Sequence, residues 1–190
     1  MRILIQTGGA QSRRSLGASM LPLLLAATLL FAAEAAKAQS GAILCSVTEN
    51  AAPARGTASV EGGGKEIAAG SCGAALPVPA GKYKVTVRLD GTLDNPSKVV
   101  DVEVSGGKTA PVSVDFKTGA LEVRLENKGQ SGTGIVAVNR GSERIGTLGS
   151  GVAARLSAGK YEIVVRLGGQ ERRYEVDLRP GQRRLVRAQF

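Results

Sequence analysis

The chain has no histidine, so Ser-His-Asp and Cys-His machinery cannot be built and the commonest general base is missing. Few residues are left that could do chemistry. Cys45 and Cys72 are the two cysteines. Two thiolates without histidine do not close a zinc site. That leaves one intramolecular disulfide or two buried free thiols, and a bridge over this separation would stabilise the fold by about 3–4 kcal/mol in the chain-entropy account. Ser157 and Lys160 have a Ser-x-x-Lys spacing, but Lys160 sits in a repeated Ala-Gly-Lys-Tyr turn whose other copy places Lys82 after Pro79, not after a serine. The spacing is therefore read as structural. Asp90, Asp94, Asn95 and Asp101 offer oxygen ligands of the kind Ca²⁺ takes. Their spacing matches no calcium loop, and such residues favour turns for their own reasons. No catalytic residue and no cofactor are expected.

Charge is unevenly spread. Residues 39–118 carry eight basic and eight acidic side chains, whereas residues 119–190 carry thirteen basic and seven acidic. Six of the thirteen are Arg172, Arg173, Arg179, Arg183, Arg184 and Arg187, on the last two predicted strands and the turn between them. If those strands form a hairpin, the arginines meet in one basic edge. Forked guanidinium groups suit phosphate and carboxylate, so the candidate partners are lipopolysaccharide, acidic polysaccharide, peptidoglycan or a phospholipid surface. The competing reading is that charge on edge strands blocks edge-to-edge aggregation. The interleaved Glu171, Glu175 and Asp177 fit that reading.

The elements that must carry these residues begin after position 38. Arg2, Arg13 and Arg14 form a positive n-region, Met20–Ala33 is an apolar run, and Ala36-Lys37-Ala38 is a small-x-small pattern. The run is shorter than the roughly 20 residues a membrane span requires. This predicts a signal peptide over 1–38 and a mature chain that does not span the membrane. Ser12-Arg13-Arg14 partly matches a twin-arginine motif, which leaves the export route open. Export to the periplasm or medium favours a Cys45–Cys72 disulfide over free thiols and argues against nucleic acid as a partner.

The mature part is a repeat. Ala80-Gly81-Lys82-Tyr83 recurs as Ala158-Gly159-Lys160-Tyr161, and Gly41-Ala42 as Gly119-Ala120, at an offset of 78. Later positions pair at an offset of 74: Val102 with Val176, Gly107 with Gly181, Phe116 with Phe190. Four extra residues therefore lie in the first copy, within Asp90–Lys98. Leu121, Val123 and Leu125 alternate with Glu122, Arg124 and Glu126, and the same period of two runs through the rest of both copies. About seven one-sided strands per copy predict two sheets packed face to face. The aromatic residues Tyr83, Phe116, Tyr161, Tyr174 and Phe190 all fall on inward positions, which leaves none to stack on a ligand. The expected architecture is all-β: two tandem, seven-stranded sandwich modules, residues 39–118 and 119–190.

The opening Gly-Ala strand, the Ala-Gly-Lys-Tyr turn and the Gly turn before a strand ending in Phe resemble the small immunoglobulin-like and PEGA-like sandwich repeats of bacterial envelope proteins. Transthyretin-type, carboxypeptidase-regulatory-like modules are similar. The residues carrying the resemblance are Gly81, Tyr83, Gly107 and Phe116, then Gly159, Tyr161, Gly181 and Phe190. The resemblance implies a non-catalytic binding, spacing or adhesion unit, with an envelope protein or anionic envelope polymer as partner.

Overall fold

The computed structural model describes residues 39–190. The signal peptide expected over 1–38 lies outside the described residues. The described residues form strands joined by turns, bends and irregular backbone, and no helix long and apolar enough to cross a membrane occurs among them.

The first copy runs through β1 (Ser40–Glu49), β2 (Ala52–Pro53), β3 (Gly56–Gly62), β4 (Lys65–Ser71), β5 (Ala75–Pro79), β6 (Gly81–Leu89), β7 (Ser97–Val104) and β8 (Thr109–Phe116). The second runs through β9 (Thr118–Asn127), β10 (Gln130–Gly132), β11 (Ile135–Arg140), β12 (Glu143–Leu148), β13 (Ala153–Ser157), β14 (Gly159–Leu167), β15 (Gln170–Leu178) and β16 (Arg183–Gln189). Each copy thus has eight strands, not seven. The additions are the short β2 and β10, which fold back on the ends of β1 and β9 and are too brief to show alternation.

Pairing is the same in both copies. One sheet has the order β4-β3-β6-β7, and its counterpart β12-β11-β14-β15. The other is centred on β1, with β2 and β5 along one edge and β8 parallel along the other; its counterpart has β10, β13 and β16 around β9. Even a register irregularity recurs, at Val60/Glu61 and at Val138/Asn139.

Each copy has its own core. Ile43, Val60, Val78, Val85, Val87 and Val112 are among the buried side chains of the first; Leu121, Val123, Leu156, Ile163, Val165 and Leu178 are among those of the second. The repeated motifs are accounted for by this folding. The Tyr83 hydroxyl donates to the Pro79 carbonyl at 2.8 Å, and Tyr161 to the equivalent Ser157 carbonyl at 2.7 Å. A buried phenol needs such a partner, and the turn four residues upstream supplies it in both copies. The opening glycines are needed for close approach. A Cβ on Gly41 would lie 2.5 Å from Val104 Cγ1, and one on Gly119 2.7 Å from Leu178 Cγ. Tyr83, Phe116 and Tyr161 are buried as expected, while Tyr174 and Phe190 are only partly buried at the rim of the second core.

Candidate functional site

Because the repeated residues serve the scaffold, specific function is sought where the copies differ. Three differences matter: the cysteine pair, the inserted loop and the arginines.

Cys45 and Cys72 are joined in a disulfide, with Cα atoms 4.7 Å apart. It ties central strand β1 to the chain leaving β4 of the opposing sheet. Hydrogen bonds frame the link: Cys72 N–H donates to Gly56 O and Gly73 N–H to Cys45 O, both at 2.8 Å. In the second copy Gly151 N–H donates to Val123 O, again at 2.8 Å. There the disulfide is replaced by the Ser150 hydroxyl, which accepts from Leu125 N–H at 3.0 Å.

The carboxylates near the inserted loop, 90–96, are not gathered at one point. Asp101 lies on β7 in an exposed pair with Lys84. Asp90 is engaged through its backbone: its carbonyl accepts from Arg155 Nη2 at 3.0 Å and its N–H donates to Arg55 O at 3.1 Å. The Asp94 carboxylate, 3% exposed, accepts from Ser157 N–H at 3.1–3.2 Å and from Arg140 Nη2 at 3.1 Å. The three carboxylates never converge, and no group of three metal-ligating side chains exists among the described residues. The loop is instead an arm laid on the second copy. Leu93 N–H donates to Arg155 O at 2.8 Å. Its side chain is half-buried against the second core and rests on Gly146, where a Cβ would fall 2.8 Å from Leu93 Cδ1.

Other contacts close the same junction. Arg155 pairs with Glu49, whose carboxylate also accepts from the Thr118 hydroxyl. The Asn50 side chain bonds both Thr118 N–H and Thr118 O. Arg140 stacks over the Tyr161 ring and donates to its hydroxyl. Burial pushes the Tyr161 phenol up from its ordinary value, and the Asp94 charge adds to that. Only Lys117 separates β8 from β9, and its carbonyl is itself bonded by Ala158 N–H.

The arginines do not form one edge. The expected hairpin is absent: β15 pairs with β14, whereas β16 crosses to the other sheet and runs parallel to β9. The six side chains are therefore divided between two faces and a turn. Arg173 lies on the outer face of β14–β15, between Glu162 and Glu171. Arg172 sits over the Phe190 ring, 5.5 Å from its centre. Arg179 lies in the turn before β16, its N–H donating to the Gln182 side chain at 3.1 Å. Arg184 is exposed at the start of β16. Only Arg183 and Arg187 share the outer face of the β13-β9-β16 sheet. There Arg187 stands opposite Arg124, a residue that sequence reading treated only as the polar side of an alternation. Glu122, opposite Leu185 on the same face, has a carboxylate that is 4% exposed. It accepts from Arg124 Nε at 2.6 Å and from Arg183 Nη2 at 2.7 Å. The Arg183 and Arg124 hydrogen bonds hold this carboxyl below its ordinary value of 4.5.

Two open grooves complete the surface. One, of about 540 Å³, is lined by residues including Gly63, Lys82, Tyr83, Asp101 and Glu103. The other, of about 650 Å³, is lined at the equivalent positions Gly141, Lys160, Tyr161, Glu175 and Asp177. Their recurrence follows from the shared scaffold.

No family profile and no curated protein matches the chain. Among solved structures, a putative adhesin from Bacteroides ovatus is similar at TM-score 0.40 and 10% identity, over 73% of this chain and 76% of the adhesin. The minor pilin GBS52 of Streptococcus agalactiae is similar at TM-score 0.37 and 10% identity, over 80% and 94%. The Bacillus anthracis TIE protein is similar at TM-score 0.39 and 15% identity over 80% of this chain, which spans 34% of that protein's length. These are loose likenesses; the fold rests on the strand pairing itself.

Proposed function

We propose that this chain is a non-catalytic exported protein of the bacterial envelope or its surroundings, in which two β-sandwich domains, residues 39–118 and 119–190, act as one stiff binding or structural unit. The observation that carries this reading is the arm at Leu93 and Asp94. A spacer with independent domains has no use for a buried carboxylate and a half-buried leucine of one domain seated on the next. The one-residue connection at Lys117 supports the same conclusion. Export is supported by the n-region, apolar run and Ala36-Lys37-Ala38 of a signal peptide, and by a disulfide of the kind that persists in oxidising compartments. The absence of histidine and the structural use of Ser157, Asp94 and both cysteines favour binding over catalysis. The PEGA-like resemblance of the Gly-Lys-Tyr and Phe positions accords with this role.

Expression of the full chain in a Gram-negative host tests it. The expected product lies in the periplasm or medium, lacks the first 38 residues, and gains about two mass units on reduction. A cytoplasmic, full-length, reduced product would overturn export. Stiffness is read by limited trypsin digestion. The bond after Lys117 should resist cleavage in the native chain and become labile in Asp94→Ala, and equal cleavage of both would remove the arm's role.

A further inference from the structure

The outer face centred on β9 differs most from its counterpart in the first copy. On β1 and its neighbours the equivalent positions are Leu44, Ser46, Thr109 and Ser113, all uncharged. On β9 and β16 they are Glu122, Arg124, Arg183 and Arg187. Same-face neighbours set sheet stability, and like charges directly opposite each other destabilise a sheet. Arg187 nevertheless faces Arg124 across parallel strands. The near carboxylate, Glu122, is already committed to Arg124 and Arg183, and Arg187 forms no ion pair among the described residues. One buried carboxylate thus fixes two guanidiniums in place, with remaining N–H donors free, beside a third that lacks an anion.

We propose that this face binds a linear acidic polysaccharide, whose carboxylates are held by Arg124, Arg183 and Arg187, with Glu122 as a positioning residue. The proposal deepens the binding reading above and rests on it. Geometry selects the ligand. Arg183 and Arg187 lie four residues apart on one strand, so their Cα atoms are roughly 13 Å apart. That suits a chain carrying charges at intervals, because one small anion could meet the facing Arg124 and Arg187 but could not also span to Arg183. The face is a flat sheet surface, and neither groove described above is lined by these residues. Its one large apolar side chain, Leu185, is half-buried and not available to enter a bilayer. Glu122 and Glu126 would oppose a continuous phosphate plane but can lie between the spaced charges of a polymer.

The test is binding of the exported chain to polygalacturonate, alginate and heparin, with neutral dextran as control and phosphatidylglycerol vesicles as a separate arm. Binding to at least one acidic polysaccharide that weakens steeply with salt is expected, with none to dextran. Arg124→Gln, Arg183→Gln and Arg187→Gln should each weaken it by about tenfold or more, the scale of a lost charge-assisted hydrogen bond. Arg173→Gln, on the opposite sheet, should leave it unchanged. Glu122→Gln separates positioning from bulk charge. It adds one net positive charge, so attraction by charge alone would strengthen binding, whereas loss of the held pair weakens it. Unaltered circular dichroism and thermal midpoints identify variants that still fold. Absence of binding to all three polymers, arginine variants that bind like the native chain, or tighter binding by Glu122→Gln would each overturn the proposal. So would arginine-dependent binding to vesicles alone, which would make the ligand a lipid surface. Fractionation and disulfide formation are independent of this face, so failure here leaves the exported module standing.

Discussion

At positions 45 and 72 the first copy carries cysteines, and at 123 and 150 the second carries valine and serine, yet the backbone around both pairs is the same. Gly73 N–H bonds Cys45 O and Gly151 N–H bonds Val123 O at equal distance. The geometry therefore does not depend on the covalent link. The disulfide acts on top of a hydrogen-bonded frame that suffices for the second copy, which also receives the Leu93 side chain at its core. The two copies are stabilised by different means: the first by a cross-link between its sheets, the second by an arm borrowed from its neighbour. Small sandwiches of this size are marginal alone, so each needs such a supplement.

The largest way to break this comparison is to give the first copy the second copy's residues. Cys45→Val with Cys72→Ser should cost about 3–4 kcal/mol by the loop-closure account, read as a lower urea midpoint by far-ultraviolet circular dichroism. A loss near zero would show that the hydrogen-bonded frame alone sets stability. Next is Asp94→Ala, which leaves the Ser157 N–H without its acceptor and Arg140 without its carboxylate partner, and should cost about 2 kcal/mol. Calorimetry is expected to show one transition for the native chain and two for this variant; a single unshifted transition in the variant would deny the arm its role. The reverse exchange, Val123→Cys with Ser150→Cys, should stabilise the second copy by about 1–3 kcal/mol, less than loop closure predicts because engineered bridges strain native geometry. If the variant forms the bridge without any gain, the second copy is limited by its junction and not by its own unfolded state.

The smallest effect is acid sensitivity. Hydrogen bonds from Arg183 and Arg124 hold Glu122 below its ordinary value, those from Arg173 and Asn139 hold Glu162, and those from Arg166 and Arg173 hold Glu171. In the first copy Asp115 is lowered, chiefly by Lys117 and then by Ala51 N–H and Thr48. A carboxyl that is more acidic when folded adds stability above its unfolded value, and that stability fades as pH falls through the folded value. The urea midpoint should therefore drop modestly below about pH 4.5, with Asp115 contributing in the first copy and the three glutamates in the second. An equal drop in Glu122→Gln/Glu162→Gln/Glu171→Gln would assign the effect elsewhere. Asp115, Glu162 and Glu171 are about one-third exposed, and solvent screening keeps their share of the gain small.

Local patterns were legible from the residues alone. Alternation at Leu121, Val123 and Leu125 and the repeated Ala-Gly-Lys-Tyr turn each depend on neighbours a few positions away, and so identified strands, turns and the duplication. Near-equal spacing of the two copies exposed the inserted loop. Partner choice was not legible in this way. Whether β16 pairs with β15 or crosses to β9 depends on how two sheets close over a core, and a turn such as Arg179–Gln182 serves either path. The fate of Asp94 was hidden for the same reason: its partners Arg140 and Ser157 lie 46 and 63 residues away, and an aspartate in a loop reads alike whether it binds a cation, caps a turn or clamps another domain. Glu122 and Arg124 looked like ordinary solvent-facing residues, and only the parallel approach of β16 made one of them a buried support for two arginines. The sequence by itself determined two copies of an all-β unit and the places where they differ, because periodicity and turn chemistry are written locally. Tertiary structure decided what those differences do, because burial and charge pairing are set by strands that meet from distant parts of the chain.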